Sequence, residues 1–193
     1  MATYNHGVRV LEEATALAVP VSGTAGLQVV IGTAPINLAK NPAAVNEPTI
    51  CSSFSDCEEY LGYSKDFAEY TLCQSMYASF QMFAVAPVVF INVLDPKRHK
   101  KDNAEKQYTV VNKQVTLDEI GVMLETLVVK NDEAVLASGT DYLATFDADG
   151  KVVLTIIKEG DTVSTVKVTS TSIDPTAVTS TDIIGSYDGE TGV

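Results

Sequence analysis

Two histidines, three cysteines and 25 carboxylates are the residues of this chain with the widest chemical range. His6 sits near the start and His99 in the basic run Lys97-Arg98-His99-Lys100-Lys101. A histidine that works as a general base or metal ligand needs a second group to orient its ring. Neither histidine has such a group in its neighbouring sequence. Five residues separate Cys51 from Cys57, and fifteen separate Cys57 from Cys73. No zinc pattern has that spacing, so core filling or plain exposure is the reading for all three. Asp147-Ala148-Asp149-Gly150 starts like a calcium loop but lacks the later ligands, and reads as a hairpin turn. Gly23-Thr24-Ala25-Gly26 precedes a strand, whereas a phosphate loop follows one and opens a helix. No nucleophile-elbow pattern occurs. The residues therefore nominate no catalytic, cofactor-binding or metal-binding position.

Composition narrows the class. The chain has 193 residues, enough for one medium domain or two small ones. Its longest apolar run, near Val85 to Leu94, is far short of a membrane span, and the first residues carry no secretion signal. An odd cysteine count without paired spacing argues against a disulfide framework and fits a reducing compartment. The net charge is −12: residues 1–100 hold 6 Lys/Arg against 9 Asp/Glu, and residues 101–193 hold 7 against 16. An acidic surface repels phosphate backbones, so nucleic acid is not an expected partner.

The elements that would position any site come next. Leu27-Gln28-Val29-Val30-Ile31-Gly32 reads as a strand buried on both faces, because it does not alternate. Val88-Val89-Phe90-Ile91-Asn92-Val93 is a second run of that type. Between them, Cys73, Met76, Tyr77, Phe80 and Ala84 form an apolar stripe on a helix expected from about Asp66 to Phe83. Strand, helix and strand in this order give an α/β layer in which the strands run parallel. A shorter helix with a capping box at Ser55 to Glu58, ended by Gly62, and a short strand at Thr49-Ile50-Cys51 complete it. Residues 97–103 read as a hydrophilic linker and boundary. From 104 to 173 the pattern becomes short alternating strands with turns at Asp149-Gly150 and Gly160-Asp161, which suggests a small antiparallel sandwich or barrel. The fold class is α+β with two domains. An arm, 1–20, precedes an α/β domain, 21–103, rejoined by 174–193, with a β-rich insertion at 104–173. In the arm, Gly7-Val8-Arg9-Val10-Leu11-Glu12 alternates as a strand without a local partner. It is either an edge strand of the same domain or a strand given to a neighbour.

The succession of motifs resembles the N-terminal part of sheath proteins from contractile tails, which build bacteriophage tails, phage-tail-like bacteriocins and related injection systems. The residues that carry it are Tyr4 to Glu12, the turn Pro20-Val21-Ser22-Gly23, and the strand ending Val30-Ile31-Gly32-Thr33-Ala34-Pro35. The helix-covered strand Val88 to Val93, the β-rich insertion and Thr181-Asp182-Ile183-Ile184-Gly185-Ser186-Tyr187-Asp188-Gly189-Glu190-Thr191-Gly192 follow in order.

The resemblance implies a structural subunit, not an enzyme, and no cofactor. Subunits of this kind polymerise helically around an inner tail tube, and contraction drives the tube through a target envelope. Neighbouring sheath subunits, the inner tube protein, the baseplate and the tail terminator are the implied partners. The implied location is a virion tail or tail-like particle, assembled in the bacterial cytoplasm without membrane insertion. Gly7, Val8, Arg9, Val10, Leu11 and Glu12 would be the strand exchanged between subunits. The resemblance also implies a larger C-terminal region after the Asp-Gly-x-Thr-Gly segment. The sequence stops before it, and the expectation is that these 193 residues alone do not close a complete lattice. The alternative reading is a surface binding module that recognises a protein or glycan through its β-rich part. An α/β enzyme would require a pocket with His6 or His99 beside a carboxylate.

Overall fold

The computed structural model of the chain describes residues 26–158 and 163–184. Strand β1 (Gln28–Gly32) is followed by a 3-10 turn at Ile36–Leu38 and strand β2 (Thr49–Cys51). Helices α1 (Phe54–Tyr60) and α2 (Thr71–Met76) come next; α2 runs directly into a π-helical segment, Tyr77–Met82. Strand β3 (Val88–Asn92) completes a three-stranded sheet in the order β1-β3-β2. β1 and β3 pair in parallel, as the strand-helix-strand order requires.

The helices cover one face of this sheet. Val88, Phe90 and Cys51 point into a core with Cys57, Leu61, Leu72, Cys73 and Met76. Gly32 is needed for that closeness: a Cβ there would lie 2.4 Å from Thr71 Oγ1. Two local expectations shift. The capping residue of α1 is Ser53, not Ser55, and it pairs reciprocally with Asp56. Aspartate at the third position reaches back as well as glutamate would, because Asp56 Oδ2 accepts from the Ser52 and Ser53 amides. The long helix starts at Thr71, since the Asp66 carboxylate accepts from the Ala68 and Glu69 amides and holds those residues in a turn. Gly62 does follow α1 in the left-handed conformation, at φ +72°.

The second half of the chain is antiparallel. β4 (Lys100–Thr109), β5 (Gln114–Ile120), β6 (Val128–Asn131), β7 (Ala134–Val135), β8 (Tyr142–Phe146), β9 (Lys151–Ile156) and β10 (Thr165–Ile173) form two sheets. Their orders are β4-β10-β6-β7 and β5-β9-β8. Strict alternation in β9 and β10 sends every second side chain inward. Val129, Val166 and Val168 from one sheet meet Val115, Leu117, Val152 and Leu154 from the other in one core. The expected linker 97–103 is not a solvated connector. Lys100 to Asn103 already belong to β4 and pair with β10, and Asn103 bridges Ser170 and Ser172 at 3.0 and 2.8 Å. The polarity read as linker composition is that of a strand whose exposed side is charged.

The halves meet through specific contacts. Met123 and Ile173 from the β-rich half belong to the α/β core. Asn37 Nδ2 donates to the Val122 carbonyl at 3.3 Å, and Leu38 lies over Gly150. Strand Gly7 to Glu12, the turn Gly160-Asp161 and the segment from Gly185 onward lie outside the described residues.

Candidate assembly interface

One face of the α/β sheet is apolar and not covered by the described residues. Register pairs Val29 with Val89 and Ile31 with Ile91, and pairs Val89 with Ile50. Residues in register share a face, so Val29, Ile31, Val89, Ile91 and Ile50 all lie opposite the helices. Val89 is buried between its two partners, but Val29, Ile31 and Ile50 are 55%, 49% and 60% exposed. The expectation that β1 is buried on both faces is therefore corrected. Its apolar run is real, but among the described residues β1 is an edge strand whose outer side and one face are open. The segment Gln81 to Pro87, leading into β3, is exposed throughout and carries Met82, Phe83 and Val85. Leu27, half exposed, lies just before β1. A monomer rarely shows so many neighbouring apolar side chains to water without a partner for them.

The other nominated residues are structural. His99 is buried and has a carboxylate beside it: Nδ1 accepts from the Asp95 amide at 3.0 Å, and Nε2 stands 3.5 Å from Asp182 Oδ2. Asp182 also accepts from the Thr179 amide and hydroxyl and pairs with Arg98 at 3.0 Å. The Thr179 amide and hydroxyl, helped by His99 and Arg98, hold its carboxyl below the usual aspartate value. With both ring nitrogens engaged, His99 has no atom left for a substrate. The cluster instead ties the short helix α3 (Ser180–Ile184) to the connection between β3 and β4. Cys51, Cys57 and Cys73 are all free and buried in the α/β core. Burial pushes the Cys73 thiol up to about 11, which leaves it unreactive at neutral pH. Asp147 Oδ1 accepts from the Asp149 and Lys151 amides at 2.9 Å each, the chemistry of a turn. No group of His, Cys, Asp and Glu among the described residues is arranged to hold a metal ion. No helix among them is long and apolar enough to cross a membrane.

No family model matches the chain. It is similar to a protein named tail sheath protein from Burkholderia phage BcepMu, with 33% identity over 192 residues, 95% of this chain. The chain corresponds in sequence to a portion of a phage tail sheath protein. It spans 37% of the length of that relative.

Within the α/β sheet, sequence reasoning missed the exposed triad Val29, Ile31 and Ile50. An apolar run looks the same whether its second face is covered by its own fold or left for something else. The signal that was present lies in Gln81-Met82-Phe83-Ala84-Val85-Ala86-Pro87, which is too long and too apolar for an ordinary loop.

Proposed function

We propose that this chain is part of a structural subunit of a contractile tail sheath, one that polymerises helically around an inner tail tube and contracts to drive the tube through a target envelope. The observation that carries this reading is the open β1 edge beside the apolar face of Val29, Ile31 and Ile50. An edge strand with unpaired amides and carbonyls invites strand addition, and flanking apolar side chains stabilise the added strand. Gly7 to Glu12 has the alternation of such a strand, with Val8 and Val10 on one side. In this proposal it leaves its own subunit and pairs with a neighbour. The chain divides into the arm 1–20, the α/β domain 21–103 rejoined by 174–193, and the inserted β domain 104–173. The inner tube protein, baseplate and tail terminator are its further partners, in a virion tail assembled in the bacterial cytoplasm. No chemical step is assigned to it.

Removing residues 1–14 tests the arm. The truncated protein is expected to keep the circular dichroism and thermal transition of the intact chain while losing its fast-sedimenting species. Equal sedimentation of both forms at matched concentration would remove the arm from the assembly.

A further inference from the structure

A second surface lies where the two halves meet. A groove of about 1010 Å³ runs between the turn after β1 and the β-rich half, with Ile36, Met123, Leu124 and Phe146 on its apolar side. Lys40, Lys97 and Lys100 stand along it, all exposed, in a chain whose net charge is −12. Asp95 and Glu125 also line it, and Asp95 Oδ1 is engaged by the Lys97 amide at 2.8 Å. Asn37 lies at the groove floor, its amide nitrogen turned to the Val122 carbonyl. The groove thus combines an apolar wall and a cationic rim.

The same chain carries a shape with the opposite properties. β6 and β7 form a hairpin in which Lys130 pairs with Val135 and Asn131 with Ala134, leaving Asp132 and Glu133 at the tip. The Glu133 side chain is 94% exposed and Val135 66% exposed. Glu133 faces Lys167 only across 3.7 Å at the surface, a contact that water and salt screen. The tip offers two carboxylates and an exposed β-branched side chain. Met123 and Leu124 lead into β6 from the groove, and the acidic tip lies at the other end of that strand. Groove and tip are thus separated by one short rigid element, about 13 Å long at the usual strand rise.

We infer that the groove receives the Asp132–Glu133 hairpin of a second copy of this chain. The tip carboxylates meet Lys40, Lys97 and Lys100, and Val135 covers the apolar wall. Because the contact joins two different patches, it is head-to-tail and generates a ring or an open helix, not an isologous dimer. The inference rests on the sheath reading for that helical geometry, and adds to it a contact made by the β-rich half.

The test mixes two singly substituted forms of the chain, K97C and E133C, under mild oxidation. Native Cys51, Cys57 and Cys73 are buried and do not compete. A disulfide-linked dimer is expected in the mixture and not with either protein alone. K97E/K100E is expected to lose association, and adding D132K/E133K to that background is expected to restore it. A mixture no more cross-linked than its components, or a charge swap that fails to restore association, overturns the contact. Electron microscopy of the unsubstituted protein reads the sheath proposal separately. With the product of the complete reading frame and the inner tube protein on the grid, tubes without the cross-link discard the groove contact alone, whereas a cross-link without tubes supports the contact and discards the sheath.

Discussion

At the scale of single residues, Asp182 is the charge on which local order depends most. It caps the start of α3 through Thr179 and reaches back to Arg98 and His99. Its folded carboxyl lies below the unfolded aspartate value of about 3.9. A depressed carboxyl contributes stability that is present above the unfolded value and lost as pH falls through the folded one. Amide exchange at residues 179–184 is therefore expected to rise as pH drops below about 4, after correction for intrinsic rates. Asp182→Asn should raise it already at pH 7 and flatten the dependence. Unchanged protection in the variant would show that packing, not the carboxylate, holds α3. This pairing was not legible beforehand: His99 looked solitary because its carboxylate arrives from the far end of the described chain. The three cysteines were legible as core, since nothing in their spacing suggested ligands and all lie in apolar segments. Asp147 was legible as a turn residue from the glycine that follows it.

At the scale of elements, the sequence specified which segments become strands and helices more firmly than what covers them. The parallel pair β1 and β3, the short β2, and strands β8 and β9 follow directly from apolar runs and turn residues. β5 and β7 are harder to read from the sequence, because Gln114–Ile120 mixes charge into its exposed side and β7 has only two residues. The segment 97–103 was misread for the same physical reason: a strand with a solvated face has the composition of a linker. β1 poses the converse problem. Its β-branched run demands burial, yet among the described residues only one side of it is covered. Val29→Asp with Ile31→Asp is expected to change unfolding free energy by no more than about 0.5 kcal/mol, as exposed positions do, while abolishing assembly. Urea denaturation and pelleting read the two quantities independently. A loss of several kcal/mol would mean that the face is already part of this chain's own core. Each of the two side chains would otherwise contribute roughly 1–2 kcal/mol of apolar burial to a contact, enough in combination to decide assembly.

At the scale of the whole molecule, the charge, the cores and the open surfaces fit one account. Two hydrophobic clusters sit side by side, joined by Met123, Ile173 and the Asn37–Val122 contact. Among the described residues neither encloses a site with oriented catalytic groups. What these residues present is an edge strand with an apolar face, a groove with a basic rim, and an acidic hairpin. These are parts for making contacts, and the sheath proposal would give such contacts a structural purpose. In the sequence, the proposal of self-assembly rests only on the order of motifs and on an arm strand without a local partner; composition alone said no more than acidic and not membrane-spanning. The most direct test is negative-stain electron microscopy of the concentrated product of the complete reading frame, with and without the inner tube protein of the same particle. The account predicts hollow helical tubes or sleeves of constant diameter, with the tube protein promoting them. Dispersed monomers or small closed oligomers under both conditions would contradict it.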